Sequence, residues 1–290
     1  MIEIQGHSNF NVEIILFENK YIIAKSSNLK NSKRLSKQIK KQEILFNNNF
    51  LKNCKIPKIL KIIEKNDQTI YYMEYIYNSQ NLIHFLYSEN SFKLLWLKDI
   101  IFQIINSYIS KCKYNKINID ILNNKLIDIN KNIKNNKFTQ IYAFEIDKYL
   151  NYLNLKINQI SNIQIPIGIC HGDLTLSNML IDHSFMKIYL IDFLDSFIES
   201  PIIDMVKIRQ DTCFYWTLQL SNFNYDTNKV KICLNKLDSL LDEEFKKFNW
   251  YNLTYDFFQI LNYIRILQYS KNNKIVLHCL NVLNKFNILL

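Results

Sequence analysis

Asp173, Asn178 and Asp192 are the residues of this chain whose types and order could do chemistry together. They lie in Cys170-His171-Gly172-Asp173-Leu174-Thr175-Leu176-Ser177-Asn178-Met179-Leu180-Ile181, followed by Tyr189-Leu190-Ile191-Asp192-Phe193. Phosphoryl transfer to a hydroxyl needs such a set: one carboxylate to take the hydroxyl proton and two oxygen ligands for Mg²⁺.

The elements that would position them can be read around the motif. Leu176 to Asn178 end a tight loop, Met179-Leu180-Ile181 begin a strand, and Lys187 to Ile191 form its partner, with Asp182-His183-Ser184 as turn chemistry. On this reading Asp173 and Asn178 point from the loop towards one cleft, and the hairpin delivers Asp192 beside Asn178. Asp173 stays off the metal and can accept a proton.

This order resembles the aminoglycoside phosphotransferase and choline kinase family. Its His-Gly-Asp-x-x-x-x-Asn fingerprint is matched by His171, Gly172, Asp173 and Asn178, and its metal-binding Asp by Asp192. The resemblance implies an α+β, two-lobed protein-kinase-like fold with a small antiparallel-sheet N-lobe and a larger, mostly helical C-lobe. It makes Asp173 the catalytic base, Asn178 and Asp192 the Mg²⁺ ligands, and His171 a brace for the loop. Asp204, after Pro201-Ile202-Ile203, becomes a structural acid. The implied donor is ATP or GTP, and the acceptor a hydroxyl of a sugar, amino sugar or amino alcohol. Only eight residues separate Asp192 from Pro201, which leaves no recognisable activation segment and disfavours a protein substrate.

The N-terminal part carries what a nucleotide lobe would need. Val12 to Phe17 turns at Glu18-Asn19 into Tyr21-Ile22-Ile23-Ala24-Lys25, and the strand ends on a lysine resembling the Val-Ala-Ile-Lys lysine of kinases. By that resemblance Lys25 grips the α- and β-phosphates, Gly6 with the amides of Ser8 and Asn9 covers a phosphate, and Glu43 pairs with Lys25. Asn31 to Asn47 reads as a basic amphipathic helix with Leu35, Ile39 and Phe46 on a shared face. Ile59 to Glu64 and Thr69 to Tyr75 form a second hairpin around Asn66-Asp67. It leads to Glu74 and Ile76, which by resemblance are hinge positions that bind adenine through the backbone. Residues 1–76 are therefore the expected N-lobe and 77–290 the C-lobe.

From Asn81 onward apolar residues recur at helical spacing through Leu82 to Tyr87, Phe92 to Ile109, Ile117 to Ile133 and Ala143 to Ile160. The same texture returns in Met205 to Leu220, Val230 to Phe248, Tyr255 to Tyr269 and Lys274 to Leu289. The Asn-, Ile- and Lys-rich tract Asn115 to Lys137 keeps the rhythm despite low complexity. With 290 residues, 48% of them hydrophobic, the chain can bury a sizeable core. Six cysteines without Cys-x-x-Cys spacing oppose a zinc site and a disulfide framework, and read as buried small hydrophobes. No signal pattern and no membrane-length apolar run is seen, so cytoplasm is the default and no membrane partner is expected.

The net charge of +10 invites a nucleic-acid reading, but the bases are scattered. The exception is Lys30, Lys33, Arg34, Lys37, Lys40 and Lys41 on one helix, read as a solvated face. Asp195, Glu199, Asp211 and Trp216 are candidates for holding the acceptor. Asp211, Tyr215 and Trp216 could equally be a capped core face of one helix. The segment Asp192 to Pro201 also resembles family members associated with surface-polysaccharide biosynthesis. A degenerate pseudokinase scaffold and an aminoglycoside-resistance kinase are the alternatives; retention of Lys25, Glu43, Asp173, Asn178 and Asp192 together opposes the first.

Overall fold

A computed structural model describes residues 2–4, 10–28, 31–49, 51, 54–65, 68–88, 93–182, 184–220 and 227–288. The elements in the first part of the chain are β1 (Ile2–Ile4), β2 (Phe10–Phe17), β3 (Lys20–Ser27), α1 (Ser32–Asn48), β4 (Cys54–Lys55), β5 (Ile59–Lys65), β6 (Gln68–Glu74), β7 (Ser79–Asn81) and α2 (Leu82–Ser88). Then come α3 (Lys93–Ile109), β8 (Lys113–Lys116), α4 (Ile119–Lys134), α5 (Ala143–Ser161), β9 (Gln164–Ile167), β10 (Met179–Asp182) and β11 (Lys187–Leu190). The chain ends in α6 (Pro201–Thr212), α7 (Trp216–Leu220), α8 (Thr227–Phe245), α9 (Asn249–Leu267) and α10 (Asn273–Leu283). It divides into two compact units, Met1–Asn90 with His171–Ser196, and Ser91–Cys170 with Phe197–Leu290.

The first unit holds a five-stranded sheet in the order β1-β2-β3-β6-β5. Glu18 and Asn19 both have positive φ (48° and 61°), which matches a tight two-residue hairpin turn to the twist of β2 and β3. Along β6 burial alternates, with Thr69, Tyr71 and Met73 inward. Tyr71 and Met73 pack with Phe10, Ile23, Leu35 and Ile39 as one core, so α1 covers one face of the sheet. On α1 the buried stripe is Leu35, Gln38, Ile39, Gln42 and Leu45, whereas Phe46, expected on it, is 38% exposed. Helical angle sets the side on which a residue points, not whether a neighbour covers the last turn. β3 also continues two residues past Lys25, to Ser27, whose hydroxyl donates to the Thr69 carbonyl at 3.3 Å.

The predicted hairpin is β10–β11, with Met179 opposite Leu190 and Asp182 opposite Lys187. It forms the centre of a second sheet, β4-β11-β10-β7. β7 is antiparallel to β10 and β4 is parallel to β11.

The second unit is helical apart from the β8–β9 ribbon. α9 is buried on most of its circumference and packs against α5, α6 and α10. The tract Asn115 to Lys137 is built mostly into α4, which buries Leu122, Leu126, Ile129 and Ile133 at helical intervals. Ser200 starts α6: its hydroxyl accepts from Ile202 N at 3.4 Å and donates to the Pro166 carbonyl at 2.6 Å, with Pro201 following in the first turn. The helix expected from Met205 to Leu220 is broken between α6 and α7, where Tyr215 has φ 56°. All six cysteines are unbridged, four of them buried. Among the described residues no helix is long and apolar enough to cross a membrane.

Candidate active site

Lys25 stands on β3 opposite Tyr71 of β6, 2% exposed. Its Nζ is 2.7 Å from Asp192 Oδ1 and 3.5 Å from Gln38 Oε1, and 5.0 Å from the centroid of the Phe10 ring. The α1 partner is therefore Gln38, and the expected Lys25–Glu43 pair is not formed. Five residues of helix turn a side chain through about 140°, so only one of the two positions can face β3. A neutral amide and an aromatic face orient the ammonium without cancelling its charge.

The loop carrying Asp173 is held by His171 and Gly172. Gly172 has φ +88°, and a Cβ there would come within 2.1 Å of the Leu194 carbonyl oxygen, so only glycine lets the two segments cross. His171 is fully buried, and burial pushes its pKa down to about 4 against the opposing pull of Asp173. The neutral ring accepts from Asp173 N at Nδ1 (3.2 Å), which makes Nε2 the donor to the Ile191 carbonyl at 2.9 Å. The same ring packs against Phe193 at 4.4 Å between centroids, and the His171 carbonyl accepts from Leu194 N at 3.0 Å. His171 thus joins the Asp173 loop to the residues on both sides of Asp192.

Asn178 closes a short 3-10 turn, Leu176–Asn178, before β10. Its Nδ2 donates to the Asp173 carbonyl at 2.8 Å and to Asp173 Oδ2 at 3.2 Å, and its backbone carbonyl accepts from Ile191 N at 3.0 Å. The side-chain NH₂ is committed to Asp173, so Oδ1 is the atom that can act as a metal ligand. Asp192 follows Ile191 with φ 61° and a side chain 37% exposed. One carboxylate and one amide oxygen at the same end of the hairpin form a hard-oxygen donor pair that fits Mg²⁺ completed by phosphates and water.

The remaining expected positions divide by place. Gly6, Ser8 and Asn9 lie outside the described residues. Glu74 N donates to the Lys58 carbonyl at 3.0 Å and its carboxylate accepts from Lys58 N at 3.2 Å, while the Ile76 carbonyl accepts from Ser79 Oγ at 2.8 Å. Asp195 is exposed and paired with Lys37 at 2.8 Å. In the second unit, Glu199 accepts from the Cys170 thiol at 3.2 Å, and Asp204 is fully buried in the first turn of α6. Asp211, offered as a substrate contact, is instead fully buried: its Oδ1 accepts from Thr217 N (2.9 Å) and Thr217 Oγ1 (2.7 Å), holding the start of α7. Trp216 is half-buried at the start of α7, its ring 5.8 Å from that of His278.

Three contributors were not legible. Phe10 and Gln38 frame Lys25, and Lys41, read as part of a solvated face, reaches the Leu194 carbonyl at 2.6 Å. In a Lys-rich helix nothing distinguishes Lys41 from its neighbours. A polar Gln38 inside the apolar stripe of α1 was the one available signal.

Compared by sequence, the chain matches no family model and no curated protein. Compared by structure, it is similar to a thermostable mutant of the aminoglycoside phosphotransferase APH(4)-Ia in ternary complex with AMP-PNP and hygromycin B (TM-score 0.67, 9% identity, 98% of this chain and 92% of that one). It is also similar to a type VIII aminoglycoside-3'-phosphotransferase (TM-score 0.56, 9% identity, 89% of each chain). A third similar structure is an ethanolamine kinase from Plasmodium vivax (TM-score 0.54, 14% identity, 98% and 83%). These likenesses define the class of fold: the chain has the two-lobed protein-kinase-like fold that these small-molecule phosphotransferases share.

Proposed function

We propose that this protein is a Mg²⁺-dependent small-molecule kinase that moves the γ-phosphoryl group of ATP or GTP to a hydroxyl. The observation that carries this reading is the meeting of Lys25, Asp173, Asn178 and Asp192 within one compact unit, tied through His171. Asp173, one carboxylate oxygen held by Asn178, orients the acceptor hydroxyl and takes its proton. Lys25 turns its ammonium from Asp192 to the α- and β-phosphates, and the backbone at Glu74 and Ile76 receives the purine. Asp192 and Asn178 would hold Mg²⁺, which when bound neutralises charge on the β- and γ-phosphates.

The acceptor proposed is a sugar, amino sugar or amino alcohol, with surface-polysaccharide building blocks as one source. The similar structures act on or bind aminoglycosides and ethanolamine by name, which supports a small polar acceptor. Asp195, in the same compact unit as Asp173, is the acid proposed to meet it. The reading includes a lobe boundary at residue 76 and a cytoplasmic setting, where nucleotide is abundant.

The test is a screen of ADP or GDP release over sugars, amino sugars, choline-like amines and aminoglycosides. Acceptor-stimulated release that disappears in Asp173→Ala is expected. Release that no acceptor stimulates, or that the Asp173 variant preserves, would overturn the proposal, and stimulation by aminoglycosides alone would make it a resistance kinase.

A further inference from the structure

Leu194, two residues past Asp192, is held at both its backbone N–H and its backbone carbonyl. Leu194 N donates to the His171 carbonyl at 3.0 Å, and the Leu194 carbonyl accepts from Lys41 Nζ at 2.6 Å. The second contact is a charge-assisted bond from α1, an element outside both the Asp173 loop and the Asp192 segment. Gly172 lies against the same carbonyl, and Lys41 Nζ is 3.3 Å from where a Cβ on Gly172 would sit. Lys41 therefore sits at the crossing of the segment bearing Asp173 and the segment bearing Asp192.

That crossing needs a restraint. Asp192 has φ 61°, a left-handed conformation that a non-glycine residue adopts at a cost. Its carboxylate can serve the metal only if the backbone on both sides is fixed. On the N-terminal side β11 and the Ile191 bonds to His171 and Asn178 do this. On the C-terminal side the Leu194 peptide is fixed by His171 and by α1. Neighbouring positions of α1 reinforce the placement: Gln38 touches Lys25, and Lys37 meets Asp195.

We infer that Lys41 is a positioning residue that locks the Asp192 segment onto the Asp173 loop, so that α1 sets the geometry in which Mg²⁺ is received. The inference rests on the phosphotransferase reading for the role of Asp192. The role of Lys41 is to orient the main chain through the Leu194 carbonyl.

The test has two readouts besides turnover, made on the whole protein. Hydrogen exchange of the Leu194 amide is followed without nucleotide, and the Mg²⁺ concentration giving half-maximal binding of a non-hydrolysable ATP analogue is titrated. Lys41→Met keeps the aliphatic stem and removes the charge. It should speed exchange at Leu194 and raise the Mg²⁺ requirement by about tenfold each, the scale of one hydrogen bond to a charged group. Binding of the analogue without Mg²⁺ should move little. Lys41→Arg, which retains a donor cation, should recover most of both effects. Lys40→Met removes an equal charge from the exposed adjacent position and should move neither. Unchanged exchange or an unchanged Mg²⁺ requirement in Lys41→Met overturns the inference. So does an equal effect in Lys40→Met, which would assign it to net charge, or an equal loss of analogue binding with and without Mg²⁺, which would make Lys41 a nucleotide ligand. If the wild-type protein binds no Mg²⁺-nucleotide, the phosphotransferase reading fails, while the exchange readout still decides whether Lys41 holds the segment.

Discussion

Gly172 and Asp173 sit side by side and are expected to fail in different ways. At Gly172 an added methyl meets the Leu194 carbonyl at 2.1 Å in a backbone conformation that disfavours a side chain. Gly172→Ala should therefore cost more than about 2 kcal/mol in urea unfolding, and it should weaken Mg²⁺-nucleotide binding as the crossing opens. Asp173→Asn keeps the shape and removes the carboxylate proposed as the base. Transfer should fall by about 10²–10⁴-fold while affinity for a nucleotide analogue stays within about threefold. An Asp173 variant that turns over normally would remove it from the mechanism. These residues were legible because a tight loop and a hairpin fix their separation within a short stretch of chain. The partner of Lys25 was not. Whether Gln38 or Glu43 faces β3 depends on how α1 is rotated against the sheet, a tertiary quantity that neither residue type announces.

Among the elements, strands long enough to show alternation were readable and shorter ones were not. β2, β3, β5, β6 and the β10–β11 hairpin all fall where the residue pattern put them, but β7 and β4, with three and two residues, complete the second sheet without any periodicity of their own. The α6–α7 break shows a further limit. Apolar rhythm runs through it, and the positive φ at Tyr215 and the carboxylate of Asp211 make the turn. Asp211→Ala should lower stability by about 1–2 kcal/mol, as loss of a helix-start acceptor does, and leave the acceptor KM unchanged within about twofold. A large rise in acceptor KM at unchanged stability would return Asp211 to the substrate site.

For the whole molecule, two neutral histidines couple folding to pH. Burial pushes both His171 and His278 from 6.5 to about 4, and nearby lysines add to the shift at His278. The unfolded chain takes up protons at these sites below about pH 6.5 and the folded chain only near pH 4, so stability is full above that window and is lost as the pH falls through it. The urea midpoint should drop between about pH 7 and pH 5, and His278→Phe, which keeps an aromatic ring beside Trp216, should flatten the slope. An unchanged slope would show that His278 is not a coupled site. The net charge of +10 works in the same direction and is common to both proteins, so the comparison isolates the histidine. Within α1 the basic residues read as a solvated face divide: Lys33, Arg34 and Lys40 are exposed, whereas Lys41 reaches the Leu194 carbonyl.

Asp192, beside Lys25, and Asn178 are proposed to receive a divalent cation together with a nucleotide. Calorimetric titration of a non-hydrolysable ATP analogue with and without Mg²⁺, on the wild-type protein and on Asp192→Ala, tests it most directly. Binding that strengthens at least about tenfold with Mg²⁺, and a gain that disappears in Asp192→Ala, is the predicted result. No nucleotide binding, or binding indifferent both to Mg²⁺ and to the loss of the Asp192 carboxylate, would contradict it.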